Sequence, residues 1–207
     1  MPFCPPAGAQ VEIAMVVTGR IGRLRAALRV VALALPLAAA VALAQEPGGA
    51  ETDWQAGFEA EGAGDWHGAL HHYNRAIQSG ELSQKRLARV FRSRGNVRHA
   101  LGEDGEALKD YETAISLDPN YANAYVSRGV IYHLRGDYVH ALEDYDEAIR
   151  LEPDNALAYA NRGGAHEQLE QIEDAITDFR AAYRLGLDKD WLVEVLTAYG
   201  DLPAREP

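Results

Sequence analysis

Lys85, Arg89, Arg92, Asn96 and His99 follow one another at steps of four, three, four and three residues. On a helix that spacing makes one continuous stripe. Segment 85–98 carries Lys85, Arg86, Arg89, Arg92, Arg94 and Arg98 and no acid, inside a chain with net charge −11. Such a row offers donors to carboxylates, and an arginine can grip both carboxylate oxygens at once. Arg86 lies off this face and serves as the control for it. The competing reading is that acidic faces of adjacent helices neutralise the whole segment.

A second charge pattern reads as structural. Arg94, Arg128 and Arg162 are each followed, sixteen residues later, by Asp110, Asp144 and Asp178. An earlier copy of the same segment has Ala56 and His72 at those places, so it loses both partners together. Paired presence and paired absence predict an ion pair between two facing helices. A half-buried pair of this kind is costly to break yet adds little net stability.

Catalytic chemistry finds no support. His67 and His71 stand at the helical metal-site spacing, with His72 beside them, but no HExxH accompanies them. They read as polar helix surface, as do His99 and His133. There is no Ser-His-Asp spacing, P-loop or GxGxxG. Paired carboxylates such as Asp144 and Glu147 lie in an acidic helix face. The expectation is no catalytic residue, no metal and no cofactor.

The elements that carry these residues repeat. Residues 88–119, 122–153 and 156–187 align without gaps. Gly95, Gly129 and Gly163 are 34 apart, as are Ala107, Ala141 and Ala175, then Tyr111, Tyr145 and Phe179, then Ala114, Ala148 and Ala182. Pro119 and Pro153 keep the step. A fixed period of this length signals a stacked-repeat architecture. Each unit reads as two helices, with Ala141, Tyr145, Ala148 and Ile149 on one helical face. Gly102-Glu103 and Gly136-Asp137 supply the turn within a unit, and Asp118-Pro119 and Glu152-Pro153 close it.

These residues at these spacings resemble the tetratricopeptide repeat family. The resemblance implies an all-α, right-handed α-solenoid whose concave groove is lined by the first helix of each pair. It also implies a scaffold or adaptor that holds extended peptides or helices of partner proteins, not an enzyme. In the family's register the cationic stripe faces the groove, together with Asn123, Ser127 and Asn161. Arg92 and Asn96 take places where carboxylate-clamp members carry a Lys and an Asn. The next places depart: Ser127 stands where an Asn is expected, Leu157 for a Lys and Asn161 for a basic residue.

A worn copy precedes the three, with Gly57, Ala69, Tyr73 and Ala76 matching at an offset of 38. Its four extra residues fall near 79–87 and read as an added turn on the following helix. The last unit lacks its proline, and residues 188–199 carry Trp191, Val195 and Tyr199 on one face with Leu192 and Leu196 beside them, as an end cap must. The expected organisation is a degenerate repeat with its inserted turn at 51–87, repeats at 88–121, 122–155 and 156–187, a capping helix at 188–200 and a disordered tail at 201–207.

Residues 1–44 read as a signal peptide. Arg20, Arg23, Arg25 and Arg29 precede fifteen apolar residues, 30–44, that end in Ala42-Leu43-Ala44. The core is short for a membrane span. Met15 looks like the true start, and 45–50 like a linker. An uncleaved anchor is the alternative, and would place the protein at a membrane. Cleavage after Ala44 leaves 163 residues with 16 basic and 30 acidic groups, a net charge of −14, and no Cys or Met. That balance disfavours nucleic acid as a partner. The reading is a periplasmic or secreted, non-enzymatic adaptor for a protein or peptide, acidic or carboxylate-bearing. The alternative is a homo-oligomeric assembly module using apolar ends at Trp54, Phe58 and Trp191.

Overall fold

The computed structural model describes residues 49–187 and 190–200, all within a unit spanning 45–207. The predicted signal peptide, most of the linker, the tail at 201–207 and the first two residues of the predicted cap segment lie outside the described residues. Nine helices run through what is described: α1 (Ala50–Gly62), α2 (Trp66–Gln78), α3 (Gln84–Ala100), α4 (Asp104–Leu117), α5 (Ala122–Leu134), α6 (Tyr138–Leu151), α7 (Ala156–Gln168), α8 (Ile172–Arg184) and α9 (Asp190–Ala198). The described residues contain no strand.

Each pair of helices closes on a glycine. A Cβ on Gly57, Gly95, Gly129 or Gly163 would stand 2.5, 2.5, 2.7 or 2.8 Å from a ring carbon of Tyr73, Tyr111, Tyr145 or Phe179. The ring therefore lies directly on the backbone of the partner helix, and the small residue is required by contact. Ala69, Ala107, Ala141 and Ala175 on the second helices are fully buried beside these rings. The turn within a pair needs a left-handed residue. Gly64, Gly102 and Gly136 supply it at φ 76, 78 and 77°, and the last pair uses Glu170 at φ 59°. Asp65, Asp137 and Asn155 cap α2, α6 and α7 by accepting from the N–H of Gly68, His140 and Ala158 at 2.9, 3.4 and 3.1 Å. Such caps satisfy amide groups left orphaned at a helix start.

Every helix packs on its neighbours in sequence, and the first helices of successive pairs also touch: α1 on α3, α3 on α5, α5 on α7. The second helices of successive pairs do not touch one another. The array consequently curves, with α1, α3, α5 and α7 on its inner side. This is an all-α solenoid with a concave face built from first helices.

The end cap differs from its expected form. Leu192 and Leu196 are the fully buried pair of α9, whereas Val195 and Tyr199 are half-buried and Trp191 is 45% exposed. The four-residue step from Leu192 to Leu196 points at α8. Trp191, one residue earlier, is turned away and meets Phe179 only by a ring edge, with centroids 5.9 Å apart.

Candidate functional site

The candidate site is the inner face of α3 and the neighbours that flank it. At 17 residues, α3 outruns the 13 of α5 and α7, and the excess lies at its start. This first turn is fastened to α1. Arg86 pairs with Glu51, and its guanidinium lies 5.9 Å from the centre of the Trp54 ring. Glu81 accepts from the N–H of Ala50 at 3.3 Å. Arg86 thus ties α3 to α1 through an ion pair at the surface. Trp54 is half-buried in the same packing.

The extra turn carries cations and no acid where the helix dipole favours acids. Lys85 and Arg89 are exposed and have neither hydrogen bond nor ion pair among the described residues. Arg92 reaches across to α5: its Nε donates to the carbonyl of Asn123 at 3.3 Å and to Ser127 Oγ at 3.1 Å. Its guanidinium also lies 5.9 Å from the Tyr121 ring centre. These partners are neutral, so the positive charge stays uncompensated. The other three arginines of the segment all face acids: Arg86 meets Glu51, Arg94 meets Asp110, and Arg98 meets Asp110 at 2.9 Å and Glu106 at 3.9 Å. Neutralisation by neighbouring acids therefore holds for half the segment and fails for Lys85, Arg89 and Arg92.

The rest of the predicted groove set divides. Arg92, Asn123 and Ser127 come together, and Asn123 also accepts from Asn155 Nδ2 at 3.4 Å. Asn96 and His99 turn to their own repeat: Asn96 Oδ1 accepts from the Tyr111 hydroxyl at 3.0 Å, and His99 Nδ1 meets Asp104 at 2.7 Å. Asn161 on α7 is half-buried, and Leu157, one turn earlier, is 54% exposed. On α1, Phe58 stands in the repeat place of Asn96 and is 61% exposed.

The repeated arginines and aspartates form two-pronged pairs. Arg94 holds Asp110 at 2.9 and 2.6 Å, Arg128 holds Asp144 at 2.9 and 2.7 Å, and Arg162 holds Asp178 at 2.8 and 2.7 Å. The three aspartates are buried. Burial pushes the Asp144 carboxyl up, against the opposing pull of the Arg128 hydrogen bonds. The same bonds raise the Arg128 guanidinium.

Two features of these pairs escaped the sequence reading. Each guanidinium also lies near an aromatic ring one turn back, Phe91, Tyr125 or Tyr159, at 5.0, 5.8 and 5.5 Å. Arg94 and Arg162 further donate to the preceding repeat, to Asn74 and Asp146, at 2.7 and 2.6 Å. The arginines therefore tie repeat to repeat as well as helix to helix. The aromatic was legible, since it recurs at the 34-residue step.

The first repeat corrects an expectation. His72 has not lost its partner: its Nδ1 lies 3.4 Å from Asp53, which is buried and also meets Arg75 at 3.4 Å. Asp53 occupies the place held by Phe91, Tyr125 and Tyr159 in the other repeats. The acid has moved to the first helix and the base to the second. Elsewhere, among the described residues, no cluster of His, Cys, Asp or Glu is arranged to hold a metal ion. None of their helices is long and apolar enough to cross a membrane.

A curved stack of helix pairs, each closed by a glycine under an aromatic ring, is an α-solenoid of the tetratricopeptide class. A TPR repeat model matches residues 95–136 and 129–170, and a tetratricopeptide repeat model matches residues 156–185. Residues 95–185 are thus tetratricopeptide repeats by sequence as well as by fold. No curated protein matches it by sequence. Among solved structures it is similar to MamA, with a TM-score of 0.60 and 23% identity over 70% of this chain and 83% of that one. It is similar to the first TPR of Spaghetti (RPAP3) bound to the HSP90 peptide SRMEEVD, with a TM-score of 0.52 and 25% identity over 58% of this chain and 97% of that one. It is also similar to the Arabidopsis OM64 TPR domain, with a TM-score of 0.53 and 24% identity over 56% and 95% of the two chains.

Proposed function

We propose that the chain is an exported, non-enzymatic scaffold that holds a carboxylate-bearing protein or peptide in its concave groove. One observation carries this reading. Lys85, Arg89 and Arg92 have no acidic partner among the described residues, while their neighbours Arg86, Arg94 and Arg98 are all paired. Lys85, in the first turn of α3, opposes the helix dipole, and all three cations are open to a carboxylate ligand. The likeness to a TPR bound to an acidic peptide supports the same direction. The departures at Ser127, Leu157 and Asn161 weigh against a complete clamp for one terminal carboxylate. Export rests on the basic and apolar pattern of residues 1–44.

The groove is tested by pull-down from an extract of the exported compartment, comparing the native protein with Lys85→Glu/Arg89→Glu. A partner that binds the native protein, weakens with salt and loses more than tenfold in affinity to the variant supports the reading; tenfold is about 1.4 kcal/mol. Equal binding to both sinks it. Intact-mass measurement tests export: the expected mature chain starts at Gln45, and a membrane-bound species retaining residues 30–44 overturns cleavage. A second reading, self-association through the cap end, draws on Trp191 and Leu185, exposed at 45% and 41%. A monomer in light scattering at micromolar concentration removes it.

A further inference from the structure

The turns within the helix pairs stand along one edge of the stack, because the first helices lie side by side and each chain segment turns back at the same end. The last two turns carry exposed apolar side chains. Leu134 and Val139 at the α5–α6 turn are each 62% exposed, and Leu169 and Ile172 at the α7–α8 turn are exposed as well. The fold does not ask for them. The repeat places of Leu134, Val139 and Ile172 are held by Ala100, Gly105 and Asp104 at the α3–α4 turn. Adjacent exposed apolar side chains of this kind mark a surface that meets something.

Charge is divided between the same two turns. Arg135, beside Leu134, is exposed, and its guanidinium has no hydrogen bond or ion pair among the described residues. Glu170, Glu173 and Asp174 line an open hollow together with Ile172, and their carboxylates have no partner among the described residues either. Glu173 and Asp174 suit the first turn of α8. Glu170 precedes that helix and serves no such end. It holds φ 59° where Gly64, Gly102 and Gly136 turn the other pairs. A side chain is disfavoured in that conformation, so the acid is kept against the local preference of the backbone.

An apolar strip with a free cation at one end and free acids at the other is complementary to itself. We propose that this edge is a two-fold interface between two copies of the chain. With the axis between the two turns, the α5–α6 turn of each copy faces the α7–α8 turn of the other, since in such a contact the same patch serves both sides. Each Arg135 then meets a carboxylate across the axis, with Glu170 foremost, and the four apolar side chains of each copy cover those of the other. An interface of two turns a side is small, and small interfaces exchange readily. The edge lies off the concave face, so this inference is independent of the groove reading. It is also distinct from self-association through the cap end.

The test is sedimentation equilibrium of the chain from residue 45 onward, which forms one compact unit, from micromolar to millimolar concentration. The expected result is a reversible monomer–dimer equilibrium with nothing larger. Val139→Ser with Ile172→Ser should weaken it at least tenfold. Arg135→Glu and Glu170→Arg should each weaken it at least fivefold, because each places like charges across the axis twice. An equimolar mixture of those two variants should dimerise within threefold of the native protein, because both contacts are again between opposite charges. Arg184→Glu makes the same change in net charge as Arg135→Glu at the far end of α8, where it is exposed, and should leave the dimer intact. Glu170→Gly should weaken the dimer yet melt no lower than the native protein, measured by circular dichroism at a concentration where both are monomers. A monomer throughout the range overturns the proposal. So does a dimer that survives the edge variants and is lost in Trp191→Ser, which assigns it to the cap end. Oligomers that grow with concentration overturn the closed two-fold arrangement. A mixture that fails to restore the dimer overturns the pairing of Arg135 with Glu170. Melting of Glu170→Gly well below the native protein overturns the role of that acid, since it then serves the fold.

Discussion

The first repeat and the three that follow solve one packing problem with opposite charges. In the later repeats an arginine on the first helix lies near an aromatic ring and grips a buried aspartate on the second. In the first repeat the acid, Asp53, stands where the aromatic would be, and His72 and Arg75 reach it from the second helix. What persists is a glycine beneath a ring and one buried carboxylate with a cationic partner. The backbone contact is what the fold requires, and the sense of the ion pair is free to reverse. The geometry is less tight in the first repeat, at 3.4 Å against 2.6–2.7 Å for the closest contacts of the later pairs.

The largest expected effect separates the two designs. Arg128→Ala strands the Asp144 carboxylate in the interior and should cost about 3 kcal/mol. His72→Ala should cost about 1 kcal/mol, because Arg75 still faces Asp53. Urea denaturation measures both, and equal costs would erase the distinction drawn here. The double change Arg128→Leu with Asp144→Leu should cost less than Arg128→Ala alone. Additive losses across that cycle would show that the two side chains act independently.

A smaller effect concerns the rings. The Tyr73 hydroxyl donates to Glu61 at 2.6 Å and that of Tyr111 to Asn96 at 3.0 Å, whereas the Tyr145 hydroxyl is buried without a partner. Val130 and Gly164 stand in the repeat place of Asn96, and the last ring is already Phe179. Tyr111→Phe should therefore destabilise by about 1 kcal/mol, and Tyr145→Phe should be neutral or stabilising. Thermal unfolding of the two variants checks the ordering, and the reverse order would mean that the Tyr145 hydroxyl has a partner.

The smallest effect is a slope with pH. Burial holds the His133 ring below its ordinary value, and it packs edge-on against Tyr138, with centroids 5.3 Å apart. The unfolded chain takes up a proton at this residue as pH falls through about 6.5, while the folded ring resists. Stability present above that pH is therefore lost as pH falls toward the lowered folded value. His133→Gln should flatten this part of the profile in urea midpoints taken from pH 7.5 to 5. Glu61 holds the same place in the first repeat, so that repeat contributes no histidine slope there. An unchanged profile would show that His133 does not carry it.

Sequence alone determined the helix pairs and the turns, whereas the inner and outer helices followed only from the family resemblance. The 34-residue step forces the same contact to recur, and a glycine under a ring leaves the backbone one way to close. The cationic stripe was visible too, because four-three spacing follows from helical geometry alone. Which of its charges are free was decided only in three dimensions. Arg86 and Arg98 differ little from Lys85 and Arg89 in sequence, yet Glu51, Glu106 and Asp110 reach only the first two. That outcome depends on how α3 leans on α1 and α4. The reach of Arg94 and Arg162 to the preceding repeat, the reversed pair at Asp53 and the burial of Leu192 and Leu196 in place of Trp191 have the same origin. Periodicity assigns a residue to a helix face, whereas a partner is chosen by the distance and angle between helices, which side-chain packing sets when the repeats stack.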